Sequence, residues 1–277
     1  MSLVVNTNVL SLNSQRALGV SQDDLKTAMA RLSSGLRINS AKDDAAGLYS
    51  VEKMTADIRG QNQAIRNASD GISLAQVAEG AMAQVANNLQ RIREIAVQSA
   101  NATVEDRTGL QKEVDQLTQE ISRIVQTTKF NGTALLSASN ALNFQVGEDS
   151  DATNQVSITT SVLTGLNAYG SALSATSVVD VSSASAASAA IATMETDIET
   201  IASNRATFGA VQNRFEAVIA NLSVSVENMS AARSRVQDAD FAAETAKLTR
   251  AQILQQAGVA MLSQANIAPQ AALALLS

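Results

Sequence analysis

The sequence predicts a mainly α-helical protein, an elongated antiparallel bundle of long helices or coiled coil with a small β-hairpin region. Only 13 glycines and 1 proline occur in 277 residues, so few positions force a helix to end. Hydrophobic residues make up 45% of the chain but aromatic residues only 3%, so a thick globular core is not expected. Apolar residues also recur at alternating spacings of three and four, which is typical of packed helices.

The amino-terminal helix is predicted from apolar residues at helical spacing, namely Leu18, Leu25, Met29, Leu32 and Leu36. Residues 34–47 follow as a polar loop containing Arg37, Lys42, Asp43 and Asp44. By composition alone this loop is a solvated turn in which Ser40 or Asp44 caps the next helix. Catalysis is not expected from Asp43 and Asp44, because adjacent side chains on a helix do not converge and no third ligand is evident.

A helix of about 50 residues is predicted over 51–101, a stretch without proline. Its apolar positions are Val51, Ile58, Ile65 and Ile72, followed by Met82, Val85, Leu89, Ile92 and Ala96. After a polar break at 99–107, a second helix is predicted from Leu110, Val114, Leu117, Ile121 and Ile124. This helix is expected to fold back antiparallel on the first.

A β-hairpin is predicted where the period changes from helical spacing to alternation. Residues 141–146 and 155–159 alternate apolar with polar side chains, which leaves the polar loop 147–154 at the tip. The pair Asn131–Gly132 is a separate turn signal. Residues 160–188 are mainly Ser, Ala, Thr and Val with little periodicity, so they are predicted to form a short turn region or an exposed loop.

The three-four pattern returns at Ile191 and predicts a second long helix of about six heptads, to Val236. Its apolar positions are Ile191, Met194, Ile198, Ile201, Phe208, Phe215, Ile219, Leu222, Val226, Met229 and Val236. A last amphipathic helix is predicted over 241–270 and is expected to end near Pro269, since proline disfavours a helix interior.

The composition excludes several classes of function. With no His and no Cys, the chain lacks histidine bases, thiol nucleophiles, Cys/His zinc sites and disulfides. A zinc metalloprotease, which needs two helical histidines at zinc spacing, is excluded for the same reason. Because the chain has only 20 basic residues against 26 acidic ones, a general nucleic-acid binder is not expected. No enzymatic activity and no cofactor are predicted.

No membrane association is predicted, because no apolar run approaches the roughly 18 residues of a membrane span. The first residues lack the basic region and long apolar stretch of a cleavable signal. Taken alone this indicates a cytoplasmic protein, although the lack of Cys leaves open export by a route without a cleaved signal.

The two terminal helices have too little apolar bulk to form a core by themselves. We expect them to be ordered only by partners, because fixing each residue costs about 1 kcal/mol or more. Polymerisation and a role as a secreted scaffold both explain such ends.

Several stretches resemble bacterial flagellin, the filament protein of the flagellum. In the first half these are NTN at 6–8, RLSSGLRIN at 31–39, AKDDAAG at 41–47, LQRIREIAVQ at 89–98 and FNG at 130–132. In the second half they are GAVQNRF at 209–215, ARSR at 232–235, DAD at 238–240 and RAQILQQA at 250–257. The resemblance spans roughly residues 1–160 and 190–277.

This resemblance implies a domain organisation. Residues 1–44 and 238–277 correspond to the terminal helices that pair as the inner-tube coiled coil of the filament. Residues 45–189, with the hairpin and a short variable loop, and the long helix 190–237 correspond to the surrounding shell. The chain departs from larger flagellins in carrying only about 30 irregular residues where they insert outer domains, so a thin, smooth filament is expected.

The resemblance also assigns roles to particular residues. It places the polymerisation surface on the terminal helices, at Leu18, Leu25, Met29, Leu32, Phe241, Leu248, Ile253, Leu254, Val259 and Leu262. Residues 31–44 resemble the spoke that joins the inner and shell domains, where Arg31, Arg37, Asn39, Lys42, Asp43 and Asp44 are expected to contact other subunits.

A third implication is recognition of the monomer by the host Toll-like receptor 5. The matching positions are Gln90, Arg91, Glu94, Ile95, Gln98 and, on the neighbouring helix, Glu113. An ordinary polar helix face is the alternative reading, with Leu89, Ile92 and Ala96 pointing inward. On the same face, the Arg91 guanidinium is expected to be exposed and free to donate to a partner.

The function implied is a structural subunit that is secreted through the flagellar export apparatus and polymerises into the extracellular filament for swimming. Its expected partners are further copies of itself, an export chaperone, and the filament cap and junction proteins. The alternative is a hook-filament junction adaptor, which shares the terminal helices. Whether the Ser/Thr-rich residues 157–188 are O-glycosylated or simply solvated stays open.

Overall fold

A computed structural model describes residues 7–274 of the chain, with side chains as far as residue 267. The helices are α1 (Val9–Ser34), α2 (Ala45–Ser99), α3 (Thr108–Thr127), α4 (Ala184–Gln237) and α5 (Phe241–Ala274). The strands are β1 (Lys129–Phe130), β2 (Thr133–Ala134), β3 (Ala141–Gln145) and β4 (Gln155–Thr159), with a 3₁₀ turn at Ala152–Asn154. The predicted mainly α fold with a small β region is confirmed.

Two compact units divide the chain. The terminal unit comprises residues 1–58 and 227–277, and the middle unit comprises residues 59–226. Equal numbers of basic and acidic residues belong to the terminal unit, so the net charge of −6 lies entirely in the middle unit. None of the helices traced between residues 7 and 274 combines the length and hydropathy that a membrane crossing needs.

Helices α1 and α5 of the terminal unit pair antiparallel. The Asn8 side-chain amide donates to the Ala265 carbonyl at 2.8 Å, and the Ser21 hydroxyl donates to the Ala251 carbonyl at 3.0 Å, so the partner number falls as the α1 number rises. The predicted helix end near Pro269 is wrong, since α5 continues to Ala274. A proline removes one backbone donor but does not by itself force the chain out of a helix.

Side-chain caps fix where three of the helices begin. Asn8 accepts from the Ser11 amide at the start of α1, and Asp44 accepts from the Gly47 amide at the start of α2. Asp240 accepts from two backbone amides of the first turn of α5. These caps satisfy donors that have no partner within the helix. Asp44 is therefore the cap of α2, which was one of the two residues predicted for that role.

The core of the middle unit forms where α4 packs on α2. The buried α4 positions follow a heptad spacing: Ala187, Ala190, Met194, Asp197, Ile201, Phe208, Phe215 and Leu222. On α2 the facing residues are small, and Ala64, Ala68, Ala75 and Ala78 are at most 1% exposed. Of the predicted apolar positions Val51, Ile58, Ile65 and Ile72, the first two are buried and the last two are partly buried. Small α2 residues leave room for the large α4 side chains, and a Cβ at Gly71 would lie 2.7 Å from the Phe215 ring.

The predicted hairpin is confirmed as the antiparallel pair β3 and β4. Its register places Leu142 opposite Ile158 and Phe144 opposite Val156. Phe144 then meets the Phe215 ring edge-on, with ring centroids 5.6 Å apart, so the hairpin is attached to α4.

A second hairpin, β1 and β2, joins at the Asn131–Gly132 turn. Both turn residues have positive φ, 47° and 82°, which is typical of a two-residue hairpin turn. The sequence identified this turn but not its strands, which are two residues each.

Residues 160–183 do not form an exposed loop. Leu163, Ala168 and Val181 are fully buried, although the segment has no regular secondary structure. The Gln111 side chain of α3 donates to the Val179 carbonyl and accepts from the Val181 amide. Of the two predicted alternatives, the exposed loop is wrong, whereas turns do occur, for example where the Leu166 amide donates to the Leu163 carbonyl. Side chains of neighbouring helices satisfy backbone groups that a β-ladder would otherwise pair. Helix α4 also begins at Ala184, earlier than the predicted residue 190.

Candidate functional site

The contact between α1 and α5 is built from small side chains. Ser11, Ser21 and Ala28 are buried on α1, and Ala251 and Ala265 on α5. Their spacings are multiples of seven or combinations of three and four, as in a coiled-coil seam. At Gly258, an added Cβ would lie 3.3 Å from the Leu18 side chain, so the backbones approach closely here. The seam thus buries little of the apolar content of these helices.

The large apolar side chains of α1 and α5 lie outside this seam. We call the following set the outer face, and each member is at least half exposed: Val9, Leu10, Leu12, Val20, Met29, Phe241, Ile253, Leu254, Val259, Met261 and Ile267. A groove of about 390 Å³ lies between α1 and α5 beside the seam, and three outer-face residues, Val20, Leu254 and Met261, belong to its lining. Exposed apolar surface of this extent usually marks an interaction site.

The residues predicted for polymerisation fall into two groups. Met29, Phe241, Ile253, Leu254 and Val259 lie on the outer face. The remaining five are partly buried, and these are Leu18, Leu25, Leu32, Leu248 and Leu262. The resemblance implies one polymerisation surface for both groups, and their contacts with other subunits stay a prediction. Serine and alanine, not these large residues, fill the seam between α1 and α5.

A charged cluster lies between α1 and α5. The Glu244 side chain is only 7% exposed and contacts Lys247 at 3.0 Å and Arg31 at 3.5 Å. The Arg31 Nε is buried without a hydrogen-bond partner. Because a buried carboxylate needs a cation, Glu244 favours the helix register that brings Arg31 beside it. Arg31, predicted as a spoke residue, therefore contacts α5 within the chain.

The spoke residues are held by contacts within the terminal unit. The Arg37 amide and guanidinium donate to the Gln237 and Val236 carbonyls, both at 2.6 Å. One Asp43 oxygen accepts from the Ser40 hydroxyl and from the Ser40 and Asn39 amides. These hydrogen bonds, the Ser40 hydroxyl first, lower the pKa of the Asp43 carboxyl from its ordinary value.

Lys42 is exposed beside this turn, and Asp44 caps α2. Contacts of these residues with other subunits stay a prediction.

Arg91 joins α2 to α3 at the predicted recognition face. Its guanidinium contacts Glu113 at 2.8 Å and Glu94 at 3.0 Å, and all three side chains are well exposed. Hydrogen bonds to Glu113 and then Glu94 raise the pKa of Arg91 above its ordinary value. The expectation of a free guanidinium is wrong, because α3 brings Glu113 alongside it. Gln90 and Gln98 are also exposed.

Ile95 does not belong to this exposed face. Its side chain is 1% exposed and lies in the same core cluster as Val114 of α3. Since α3 and α4 both cover this part of α2, the buried stripe is wider than a single heptad track predicts. An open groove of about 550 Å³ lies on the exposed side of α2 and is lined by Gln90, Arg93, Glu94, Val97 and Ile198. Val97 is 56% exposed. Its position outside the apolar heptad positions of α2 is the sequence feature that could have predicted this exposure.

Asp197 is a buried structural residue that is not predicted from the sequence. It is 2% exposed and accepts from the Asn167 amide at 3.0 Å, the Asn167 side chain at 2.8 Å and the Ala168 amide at 2.9 Å. The available signal was its position between Met194 and Ile201 on the buried stripe. Asp197 attaches the irregular segment to α4 and supports the middle unit.

Comparison with known proteins identifies the family. The bacterial flagellin N-terminal helical region matches residues 5–141, and the bacterial flagellin C-terminal helical region matches residues 191–276. A flagellin of Halalkalibacterium halodurans is 44% identical over 99% of this chain and all of its own length. The flagellar filament 30.7 kDa core protein of Treponema maltophilum is 39% identical over 99% of this chain and all of its own length.

A solved structure shares the fold. The putative flagellar hook-associated protein of Vibrio parahaemolyticus superposes with a TM-score of 0.59 and 12% identity, covering 71% of this chain and 100% of its own. At that identity the likeness concerns the fold alone.

These features define a structural protein of helical filaments, not an enzyme. The chain belongs to the bacterial flagellin family, as a short form without a large outer domain between the two matched regions. Members of this family assemble into the flagellar filament and associate with other flagellar proteins. A filament subunit is therefore the function that the family supports.

Proposed function

We propose that copies of this chain contact one another through the outer face of the terminal unit and form the filament that drives swimming. Residues 1–44 and 238–277 would build the inner tube, and residues 45–189 and 190–237 the shell. Subunits would leave the cell through the flagellar export apparatus, with an export chaperone, the filament cap and junction proteins as further partners. Among the side chains described from residue 7 to 267, no contact favours the junction-adaptor alternative.

The single observation that supports this proposal is the distribution of side chains on α1 and α5. Small residues fill the seam while large apolar residues cover the outside, with at least half of each exposed. A second copy can bury that surface without opposing charge, because the terminal unit has no net charge. A contact between two different patches that does not close into a ring generates an open helical fibre.

An outer-face substitution tests this proposal. Leu254 is 52% exposed, so burial of this exposed half in a subunit contact contributes about 1 kcal/mol per subunit. Leu254→Asn is expected to raise the critical concentration for assembly roughly fivefold or more. The matched control is Gln252→Asn, which introduces the same residue at a neighbouring position that is already exposed and polar. Equal critical concentrations for both variants would rule out the outer face as the contact.

We also propose that Toll-like receptor 5 recognises the monomer through Gln90, Arg91, Glu94, Gln98 and Glu113. The supporting observation is that Arg91 is fixed by two carboxylates while half of its side chain stays exposed. An arginine that is already held in place loses little conformational freedom when a partner binds. The open groove beside it adds Arg93, Val97 and Ile198 to the surface that a receptor could contact.

Receptor signalling by Arg91→Ala monomer tests the second proposal. We expect a loss of roughly thirtyfold in potency, as for an interface hot spot, with unchanged helicity. The control is Arg123→Ala, since Arg123 is 55% exposed against 51% for Arg91 and is also paired with a carboxylate, Glu120. The control is expected to signal within twofold of the unmodified chain. If Arg91→Ala signals like the control, the recognition face is assigned wrongly.

A further inference from the structure

Two methionines lie on the outer face of the terminal unit. Met29 is 57% exposed on α1 and Met261 is 63% exposed on α5. Met82 and Met194, in the core of the middle unit, are fully buried. The structure therefore separates reactive sulfur atoms on the outer face from protected ones in the core.

We propose that Met29 and Met261 are oxidation sites, and that their conversion to methionine sulfoxide by a peroxide prevents the monomer from assembling. This inference rests on the proposed role of the outer face. Reduction of the sulfoxides would restore assembly, which makes the modification a reversible switch that acts before a subunit enters the filament.

The reaction is a two-electron oxygen transfer. The thioether sulfur attacks one oxygen of hydrogen peroxide, the sulfur–oxygen bond forms, and the oxygen–oxygen bond breaks. The proton of the transferred oxygen passes to the leaving hydroxide, so water is the second product. The sulfur is oxidised and the peroxide is reduced, with no change in the charge of the protein. The only co-reactant is the peroxide itself.

The position of these sulfur atoms explains why oxidation would stop assembly. Met261 lines the groove of about 390 Å³ beside Val20 and Leu254, and polar residues of α1 line the rest of it: Asn13, Ser14, Ser21 and Asp24. A sulfoxide would therefore place a polar oxygen on the apolar part of this groove. In a subunit contact that oxygen loses its water without gaining a donor, which opposes association. The monomer itself is not disturbed, because both side chains are already exposed to water.

Selectivity follows from burial. Peroxide reaches an exposed thioether much faster than one inside a packed core, so limited treatment would modify Met29 and Met261 before Met82 and Met194. Two methionines of intermediate burial, Met54 and Met229, provide an internal reference in the same chain. The oxidised monomer would keep its helicity, so lost assembly could not be attributed to unfolding.

The test uses full-length monomer treated with limiting hydrogen peroxide, quenched, and seeded with fragments of filaments grown from the same chain. Filaments and unassembled monomer are separated, and peptide mass spectrometry measures sulfoxide at each methionine. We expect sulfoxide at Met29 and Met261 to be at least tenfold enriched in the unassembled fraction. Sulfoxide at Met54 and Met229 is expected to be equal in both fractions. Equal sulfoxide in both fractions at Met29 and Met261 would overturn the inference.

A variant and an enzyme complete the experiment. Met29→Leu together with Met261→Leu is compared only with its own untreated sample, and the peroxide-induced change in its critical concentration is expected to vanish. Treatment of the oxidised unmodified chain with methionine sulfoxide reductase is expected to restore its critical concentration. If assembly stays impaired after both sulfoxides are reduced, the inference is wrong.

Failure of the inference can be told from failure of the proposed function. If untreated chain forms filaments and Leu254→Asn weakens them, while oxidised chain assembles equally well, only the oxidation switch is overturned. If Leu254→Asn assembles like Gln252→Asn, the outer face is not the contact and both proposals fall.

Discussion

The buried carboxylate of Asp197 offers the sharpest test of how the middle unit is held together. In Asp197→Ala, the backbone amides of Asn167 and Ala168 lose their common acceptor. Ala168 is buried while Asn167 is exposed, so the Ala168 amide carries most of the cost. An unsatisfied buried donor costs about 1–3 kcal/mol, and relief of the desolvated carboxylate offsets part of that cost. We therefore expect a net loss of about 1–2 kcal/mol in the free energy of unfolding of the middle unit.

The assay is urea unfolding of full-length monomer, followed by far-ultraviolet circular dichroism together with limited proteolysis within residues 160–183. Asp197→Asn should lose less stability than Asp197→Ala, because its remaining oxygen can still accept both hydrogen bonds from Asn167. The control is Glu199→Ala, an exposed carboxylate on the same helix, which should change stability by less than about 0.5 kcal/mol. The reasoning is refuted if Asp197→Ala unfolds at the same urea concentration as Glu199→Ala and its irregular segment stays resistant to protease.

The remaining predictions concern packing and titration. Gly71→Ala should destabilise the middle unit by about 1–2 kcal/mol because its Cβ would overlap the Phe215 ring, whereas Gly80→Ala, with open space around it, should stabilise α2; urea midpoints measure both changes. Since the pKa of Asp43 is lowered on folding, its contribution is present above the ordinary carboxyl pKa and is lost as pH falls through the folded value. Carboxyl NMR titration should show this pKa rising in Ser40→Ala, and an unchanged value would contradict the hydrogen-bonding account.

Sequence periodicity predicted the helices and strands that pack against other regular elements, such as β3, β4 and α4. The alternation of Leu142 and Phe144 with polar residues was sufficient to predict the β3–β4 hairpin, because one face of a hairpin must be buried. The seven-residue spacing of Phe208 and Phe215 likewise predicted the buried side of α4. Both patterns depend on apolar residues that are large.

Hydrophobic patterning is less informative where small residues form the packed surface. Ile65 and Ile72 are only partly buried, while Ala64 and Ala68 are at most 1% exposed because they face bulky side chains. Leu18 and Ile253, which the resemblance places on one polymerisation surface, differ in the same way, since the first is partly buried and the second exposed. A hydrophobicity pattern ranks residues by size and polarity, and it does not contain the shape of the opposing helix.

The burial of the irregular segment 160–183 and the pairing of Arg91 at the predicted recognition face result from contacts between distant parts of the chain. No local pattern links Gln111 with Val179, or Arg91 with Glu113, since each pair joins separate elements. The resemblance places Ile95 on the recognition face, but its side chain is 1% exposed because α3 covers that side of α2. Such contacts become predictable only once the packing of α3 on α2 is known.

Cryo-electron microscopy of filaments grown from purified chain tests the central claim most directly. The account predicts that α1 and α5 of adjacent subunits pack together, so that Ile253, Leu254 and Val259, each more than half exposed in the single chain, become buried at subunit contacts. A filament whose subunits contact one another only through the middle unit, with these three side chains still facing solvent, would contradict the account.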